Sequence, residues 1–423
     1  MRAAALALSL CAPCWAAPLA IVHVTVVDGD VPPRSDQAVV VDGDRLVEVG
    51  VTAATPLPPG TRVVDGRGRY LIPGLWDMHV HVLRPPRADV YFPLLIAMGI
   101  TGVRDMGGDA PFAILGQWQA GIAAGTRVGP RFGAPGPFVD GPYPSIPQWS
   151  RVVRDADEAR PAVRELKRDG ADFIKVYNRL PREAYFALAD EARRQGIPFA
   201  GHVPGAVTAR EAAVAGQRSI EHLFNVLLSC SPREAELMQR KAAVLAGGEA
   251  ESRRQQRRAY LRDVLAGTTD CGPLFETFAR LRTWQVPTLV QRRAFAEPES
   301  VKLDEAAMAY VPASQRVRWL PGQDGRIQGR DEEDRRIERQ FYERDRALVA
   351  PMFRAGVPIL AGTDAGDPYA LPGYALHDEL AALVEAGLPP QAALRSATRG
   401  AAEYLGLEAR LGSIEAGHQA DLV

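Results

Sequence analysis

The chain has 423 residues, 47% of them hydrophobic, and 50 Lys and Arg offset 51 Asp and Glu to leave a formal charge of −1. Such a chain can bury a large core. The absence of a basic surplus removes the electrostatic case for nucleic acid or an anionic membrane surface as a partner.

The first 16 residues read as a secretory signal peptide. Arg2 precedes the apolar run 3–12, and Cys14-Trp15-Ala16 supplies a cleavage region. The run is too short to remain as a membrane span, and no later apolar run is long enough to cross a membrane. Cys11 follows Leu8-Ser9-Leu10, a poor lipoprotein box because a small residue belongs just before the cysteine. A secreted or periplasmic protein without a stable membrane span is therefore expected. Its mature chain keeps Cys230 and Cys271, which an oxidising compartment allows to pair as a disulfide; two free thiols are the alternative.

Residues 17–74 read as short strands forming part of a small β-sandwich. Ala20-Ile-Val-His-Val-Thr-Val-Val27 is β-branched and ends at Asp28-Gly29, and Asp42-Gly43 marks a hairpin. His23 reads as an ordinary strand residue. The stretch Leu71-Ile-Pro-Gly-Leu-Trp-Asp-Met-His-Val-His-Val82 then sets His79 and His81 two residues apart. In a strand these point to the same face, as two ligands of one cation would, although a bare His-x-His is more often structural.

From 75 to 406, strand-like and helical patterns alternate, the mark of βα units on a parallel sheet. The strands are read at 75–82, 99–106, 131–139, 172–177, 198–203, 219–224, 286–290 and 358–362, with helices such as Ala156–Asp169, Arg182–Gln195 and 209–215 between them. Eight such strands predict an α/β fold of the (β/α)8 TIM-barrel type, with its site at the strands' C-terminal ends. Residues 230–350 exceed any ordinary crossover and read as a helical insertion over that end, rich in Arg253, Arg254, Arg257, Arg258 and the 331–339 charge run. Asp331/Arg335 and Glu332/Arg336 are expected to pair along one helix face. Residues 407–423 return to the sandwich.

Four further candidates arrive at strand ends. Lys175 sits in Asp172-Phe-Ile-Lys-Val-Tyr177, where burial would free a neutral amine to take up carbon dioxide as a bridging carbamate. His202 ends Pro198-Phe-Ala-Gly-His-Val203, His222 lies in Ser219-Ile-Glu-His-Leu-Phe224, and Asp364 closes Pro358-Ile-Leu-Ala-Gly-Thr-Asp364. Each alone is weak. Together they form a ligand set that zinc or manganese accepts.

On these pieces, with Gly102-Val-Arg-Asp105, Leu376-His-Asp-Glu-Leu380 and Gly417-His-Gln-Ala-Asp-Leu-Val423, the chain resembles the amidohydrolase superfamily over nearly its whole mature length. It is most similar to the branch with a strand-four lysine, which includes Xaa-Pro dipeptidases and relatives of imidazolonepropionase. The resemblance implies His79, His81 and Asp364 on one divalent ion and His202 and His222 on a second, with carboxylated Lys175 as bridge. Zinc is the expected metal, with manganese as alternative. It further implies hydrolysis of an amide or peptide bond in a dipeptide or N-acyl amino acid by a metal-activated water, with Asp364 as general base and then acid. Opening of a cyclic amide or lactone is the second enzyme reading, and a catalytically silent scaffold the third. Two departures stand out. The loop Pro135-Gly-Pro-Phe-Val-Asp-Gly-Pro-Tyr-Pro144 lacks the Gly-His pair of many relatives, and Asp421-Leu-Val423 ends where relatives add sandwich strands. Arg104, Tyr177 and His377 are candidate contacts for a small-molecule substrate, Arg104 having Asp105 as its competing partner. Homo-oligomer formation is left open.

Overall fold

The computed structural model describes residues 17–423 apart from Asp30, 247–249, 301–304 and 320–322, so the signal-peptide reading of 1–16 lies outside the described residues. Strand β1 (Leu19–Val26) buries every second residue, as a sheet with two unlike faces requires. It pairs antiparallel with β2 (Arg34–Asp42), which pairs with β3 (Arg45–Val51); β4 (Arg62–Asp65) and β5 (Tyr70–Leu71) add in parallel to β1. The C-terminal segment returns to this sheet. Gln419 bridges Arg45, Leu422 bridges Pro73, and Ile414 packs on Val24, Val39 and Leu46.

The rest is α/β with parallel sheets. One holds β6 (Leu75–Val80), β7 (Ile100–Asp105) and β8 (Arg131–Gly133). The other holds β9 (Phe138–Asp140), β10 (Ser150–Val152), β11 (Ile174–Val176), β12 (Phe199–Gly201), β13 (Ser219–Glu221) and β14 (Trp284–Val286). The third predicted strand is thus two short ones, parted where Pro135 and Pro137 lack the N–H a ladder needs. The seventh lies earlier than expected. Pro287 and a left-handed Thr288 (φ 50°) end β14, and Leu289-Val290 opens helix Leu289–Ala296. A short apolar run reads alike as a strand or a buried helical turn.

The eighth segment, 358–365, forms isolated bridges and is tied on both sides. Leu360 N donates to Gln285 O, while Met78 N donates to Ala361 O and Asp364 N to His79 O. It therefore joins β14 to β6. Gly362 permits this approach: a Cβ there would lie 2.6 Å from Val286 and 2.8 Å from the Cβ of His79. Asp77 fastens the same seam, accepting from Thr363 N at 3.1 Å and Thr363 Oγ1 at 2.6 Å.

Helices Ala156–Asp169 and Arg182–Gln195 show amphipathic burial and end at left-handed glycines, Gly170 and Gly196. The insertion is helical: Glu234–Ala246, Ala250–Gly267 and Glu332–Arg354 are its long members, and Cys230 and Cys271 are joined in a disulfide with Cα atoms 4.7 Å apart. Its charges pair differently from expectation. Asp331 caps its helix by accepting from Asp334 N, so it faces the helix start and meets Arg254 and Arg258 across the gap instead of Arg335. Glu333 likewise meets Arg262, and Glu338 meets Arg257; Glu332 pairs with Arg335 and Arg339, not with Arg336. Among the described residues no helix is long and apolar enough to cross a membrane.

Candidate functional site

The C-terminal ends of the parallel strands bring six side chains to one place. His79 and His81 leave β6 on the same side, with ring centroids 5.5 Å apart. Asp364 Oδ1 lies 3.3 Å from Nε2 of each, and its Oδ2 lies 4.0 Å from His222 Nε2. His222 is 4.6 Å from His79 and 4.9 Å from His202, centroid to centroid. The backbone turns sharply to aim these groups: Asp364 has φ 60° and His222 φ 56°, left-handed conformations that non-glycine residues adopt at a cost.

Each imidazole is held by its outer nitrogen. Nδ1 of His79 meets Glu221 Oε2 at 2.7 Å, that of His81 meets Gly107 O at 2.8 Å, that of His202 meets Asn178 Oδ1 at 2.6 Å, and that of His222 meets Thr288 Oγ1 at 2.7 Å. An Nδ1–H spent on an acceptor leaves the Nε2 lone pair facing inward, the arrangement metal-binding histidines use. Burial, reinforced by the neighbouring cations, holds His202 and His222 well below the usual imidazole range, so both stay neutral and able to ligate.

Three buried atoms at this point have no hydrogen-bond partner among the described residues: His79 Nε2, Asp364 Oδ1 and Lys175 Nζ. Orphaned buried polar atoms are costly unless something absent from the polypeptide completes them. His79, His222 and Asp364 could hold a metal ion on geometry alone, and the nitrogen and oxygen donors suit a borderline divalent cation. Lys175 is fully buried, and burial brings its ammonium down to about 8, within reach of a neutral amine. Burial would raise Asp364, but the histidine ring nitrogens turned toward it outweigh that and hold its carboxyl well below the usual carboxylate range.

The other candidates fall as follows. Arg104 is turned into the protein and spends all its donors there. Nε donates to Met78 O at 2.6 Å, Nη1 to Ser219 Oγ and Tyr404 OH, and Nη2 to both oxygens of Glu221 at 2.9 and 3.0 Å. It neither faces a substrate nor pairs with Asp105, whose carboxylate instead accepts from Val82 N, Leu83 N and Gly107 N. His377 is exposed on helix Tyr374–Glu385, its Nε2 3.0 Å from Met98 O, away from the six-residue cluster. Tyr177 does line the site. Its ring lies between Phe138 at 4.6 Å and His202 at 4.3 Å.

Sequence reasoning overlooked Glu221. It is completely buried, and although burial alone would raise its carboxyl, Arg104, His79 and Lys175 hold it well below the usual carboxylate range. Its position beside His222 was the available signal, since a glutamate in an apolar strand demands a cationic partner. A cavity of about 560 Å³ opens from the cluster. Its floor includes His81, Tyr177, His202, His222 and Asp364, and its roof comes from the helical insertion and Leu289–Ala296.

The family model for the amidohydrolase family matches residues 70–423. The solved bottromycin amidohydrolase superposes with a TM-score of 0.74 at 26% identity, covering 96% of this chain and 80% of that one. A Xaa-Pro dipeptidase with methionine bound in its active site gives 0.65 at 21% identity, with 96% and 93% covered. Ochratoxinase of A. niger gives 0.64 at 19%, with 96% and 88% covered. The last two likenesses concern the fold alone. The curated adenine deaminase 3 of Rhizobium meliloti (strain 1021) is 46% identical over 59 residues, 14% of this chain and 10% of that protein. The chain thus matches about a tenth of the length of its curated relatives.

Proposed function

This chain belongs to the amidohydrolase family, and we propose that it is a metal-dependent hydrolase of an amide or peptide bond in a dipeptide or N-acyl amino acid. The observation that carries the reading is the set of orphaned, buried His79 Nε2, Asp364 Oδ1 and Lys175 Nζ among imidazoles tethered by Nδ1. His79, His81 and Asp364 would hold one divalent cation, zinc or manganese, and His202 and His222 a second, with Lys175 bridging as its carbamate. Bound there, such ions supply an activated water and polarise a carbonyl.

The chain's own groups do the rest. Asp364, whose carboxyl is held well below the usual carboxylate range, takes the proton of the attacking water and returns it to the leaving nitrogen. Tyr177, whose hydroxyl burial keeps protonated, donates to the substrate carbonyl. The helical roof limits substrate to what a cavity of about 560 Å³ admits, the range of small-molecule sites. The reading includes a closed (β/α)8 barrel with a β-sandwich beside it. Support comes from segment 358–365, hydrogen-bonded to β14 and to β6, and from the return of Gln419 and Leu422 to the N-terminal sheet. It also includes export by the 1–16 signal, for which the Cys230–Cys271 disulfide speaks.

The test combines metal analysis with a panel of Xaa-Pro, Xaa-aromatic and N-acyl amino acid substrates. Bound zinc or manganese and turnover are expected, with Asp364→Asn slower by about 100-fold or more. A metal-loaded protein that cleaves none of the panel, or an Asp364→Asn variant of unchanged rate, would overturn the reading.

A further inference from the structure

We propose that Lys241, on helix Glu234–Ala246 of the insertion, anchors a substrate carboxylate, so that the cavity selects substrates with a free carboxylate a few bonds from the scissile amide. The inference rests on the hydrolytic reading above and names its substrate class. Among the described residues, three cations of the roof and rim line the cavity besides Lys241, and each is already neutralised. Arg257 pairs with Glu338, Arg292 meets Asp345 at 2.9 Å, and Arg326 is held by Asp324 at 2.8 Å and Asp367 at 2.6 Å. Lys241 differs: among the described residues no carboxylate forms an ion pair with it, and its ammonium donates to the amide oxygen of Asn225.

Asn225 is a fixed acceptor. Its backbone is left-handed at φ 62°, and its own Nδ2 donates to Val207 O at 2.8 Å and Pro204 O at 3.3 Å. An ammonium has three N–H donors, so two are left for a ligand. Burial lowers the ammonium's affinity for its proton, to about 8, with no opposing charge among the described residues. A charge held this way is stabilised when a ligand brings the missing anion.

The position suits that role. Lys241 Nζ lies 6.0 Å from the centre of the Phe224 ring, and that ring stacks on His202 at 4.2 Å and 12°. The cation thus stands one aromatic ring away from the histidine cluster. A carbonyl at the cluster and a carboxylate at Lys241 belong to one small molecule, such as an N-acyl amino acid. Leu227, Val244, Leu245 and Val264 in the same wall offer room for its apolar side chain.

The test uses full-length, metal-loaded wild type, Lys241→Met and Lys241→Arg. The kcat/KM ratio of N-acetyl-L-methionine to N-acetyl-L-methioninamide is measured for each. Separately, calorimetry compares binding of N-benzyl-L-phenylalanine, which has no hydrolysable bond, with that of its alcohol, N-benzyl-L-phenylalaninol. A preference for the carboxylate of about 10- to 100-fold is expected in wild type. Lys241→Met should bring both ratios near one, acting on the hydrolytic ratio through KM, and Lys241→Arg should restore part of each. Wild type without a preference, or Lys241→Met with the wild-type preference, overturns the anchor. Carboxylate-selective binding that Lys241→Met abolishes, in a protein that hydrolyses neither acetyl compound, keeps the anchor and sinks the hydrolytic reading instead.

Discussion

Glu221→Gln strikes the point where the buried charges and the histidine cluster meet. The carboxylate is fully buried and accepts from Arg104 Nη2 twice, from His79 Nδ1 at 2.7 Å and from Ser219 Oγ at 2.5 Å. A glutamine keeps the shape but removes the charge, and its NH2 then faces a donor. Breaking a buried ion pair costs about 3–5 kcal/mol, because the surviving charge is left uncompensated. Unfolding entropy near 2 cal/mol/K per residue converts that, for a chain of roughly 400 residues, into a Tm lowered by about 3–6 °C. Loosening the tether on His79 should weaken metal affinity by about 10- to 100-fold. Thermal unfolding of metal-free protein reads the first effect, and metal titration against a competing chelator the second. The pH dependence has a definite sign. Glu221 is depressed from its ordinary 4.5, so its stabilisation is complete above that value and is lost as pH falls below it. The Tm gap between wild type and variant should therefore narrow only in acid. Equal Tm and equal metal affinity at neutral pH would refute the reasoning. A lower Tm with intact metal affinity would refute the tether alone.

Glu379 works in the opposite direction: burial raises its carboxyl from 4.5 to about 8, although Leu289 N and Val290 N donate to it. The folded state keeps a proton that the unfolded state loses, so the contribution of Glu379 to stability should fall as pH rises from 4.5 to about 8. Glu379→Gln should remove that contribution, so in a Tm–pH series the variant gains on wild type as pH rises through this range; Asp77 and Asp345, which burial raises to about 7 and about 6, act in the same direction in both proteins. An unchanged slope would count against it. Replacing Cys230 and Cys271 by serine opens a loop with a sequence separation of 41 residues. Loop-closure entropy puts the loss at about 4 kcal/mol. That loop carries helices Glu234–Ala246 and Ala250–Gly267, so a raised KM should accompany the lower Tm; a rise in neither would show the roof to be held by other contacts.

Local pattern alone made much of this protein legible. Period-two spacing put His79 and His81 on one face of β6, and apolar runs ending in Lys175, His202, His222 and Asp364 marked where parallel strands stop. Strand and helix signals of that kind are encoded within a few residues, so they survive without knowledge of the fold. The partners of those residues are not encoded that way. Arg104 meets Glu221 across 117 positions and His79 meets it across 142, and nothing in either local sequence names the other. The same distance hides why His377 faces outward, why Asp331 reaches Arg258 and not Arg335, and why Lys241 lines one cavity with His202. Periodicity decides which face of an element a side chain occupies; only tertiary packing decides what that face meets, because the burial that makes a charge demand a partner exists only once distant strands have closed around it.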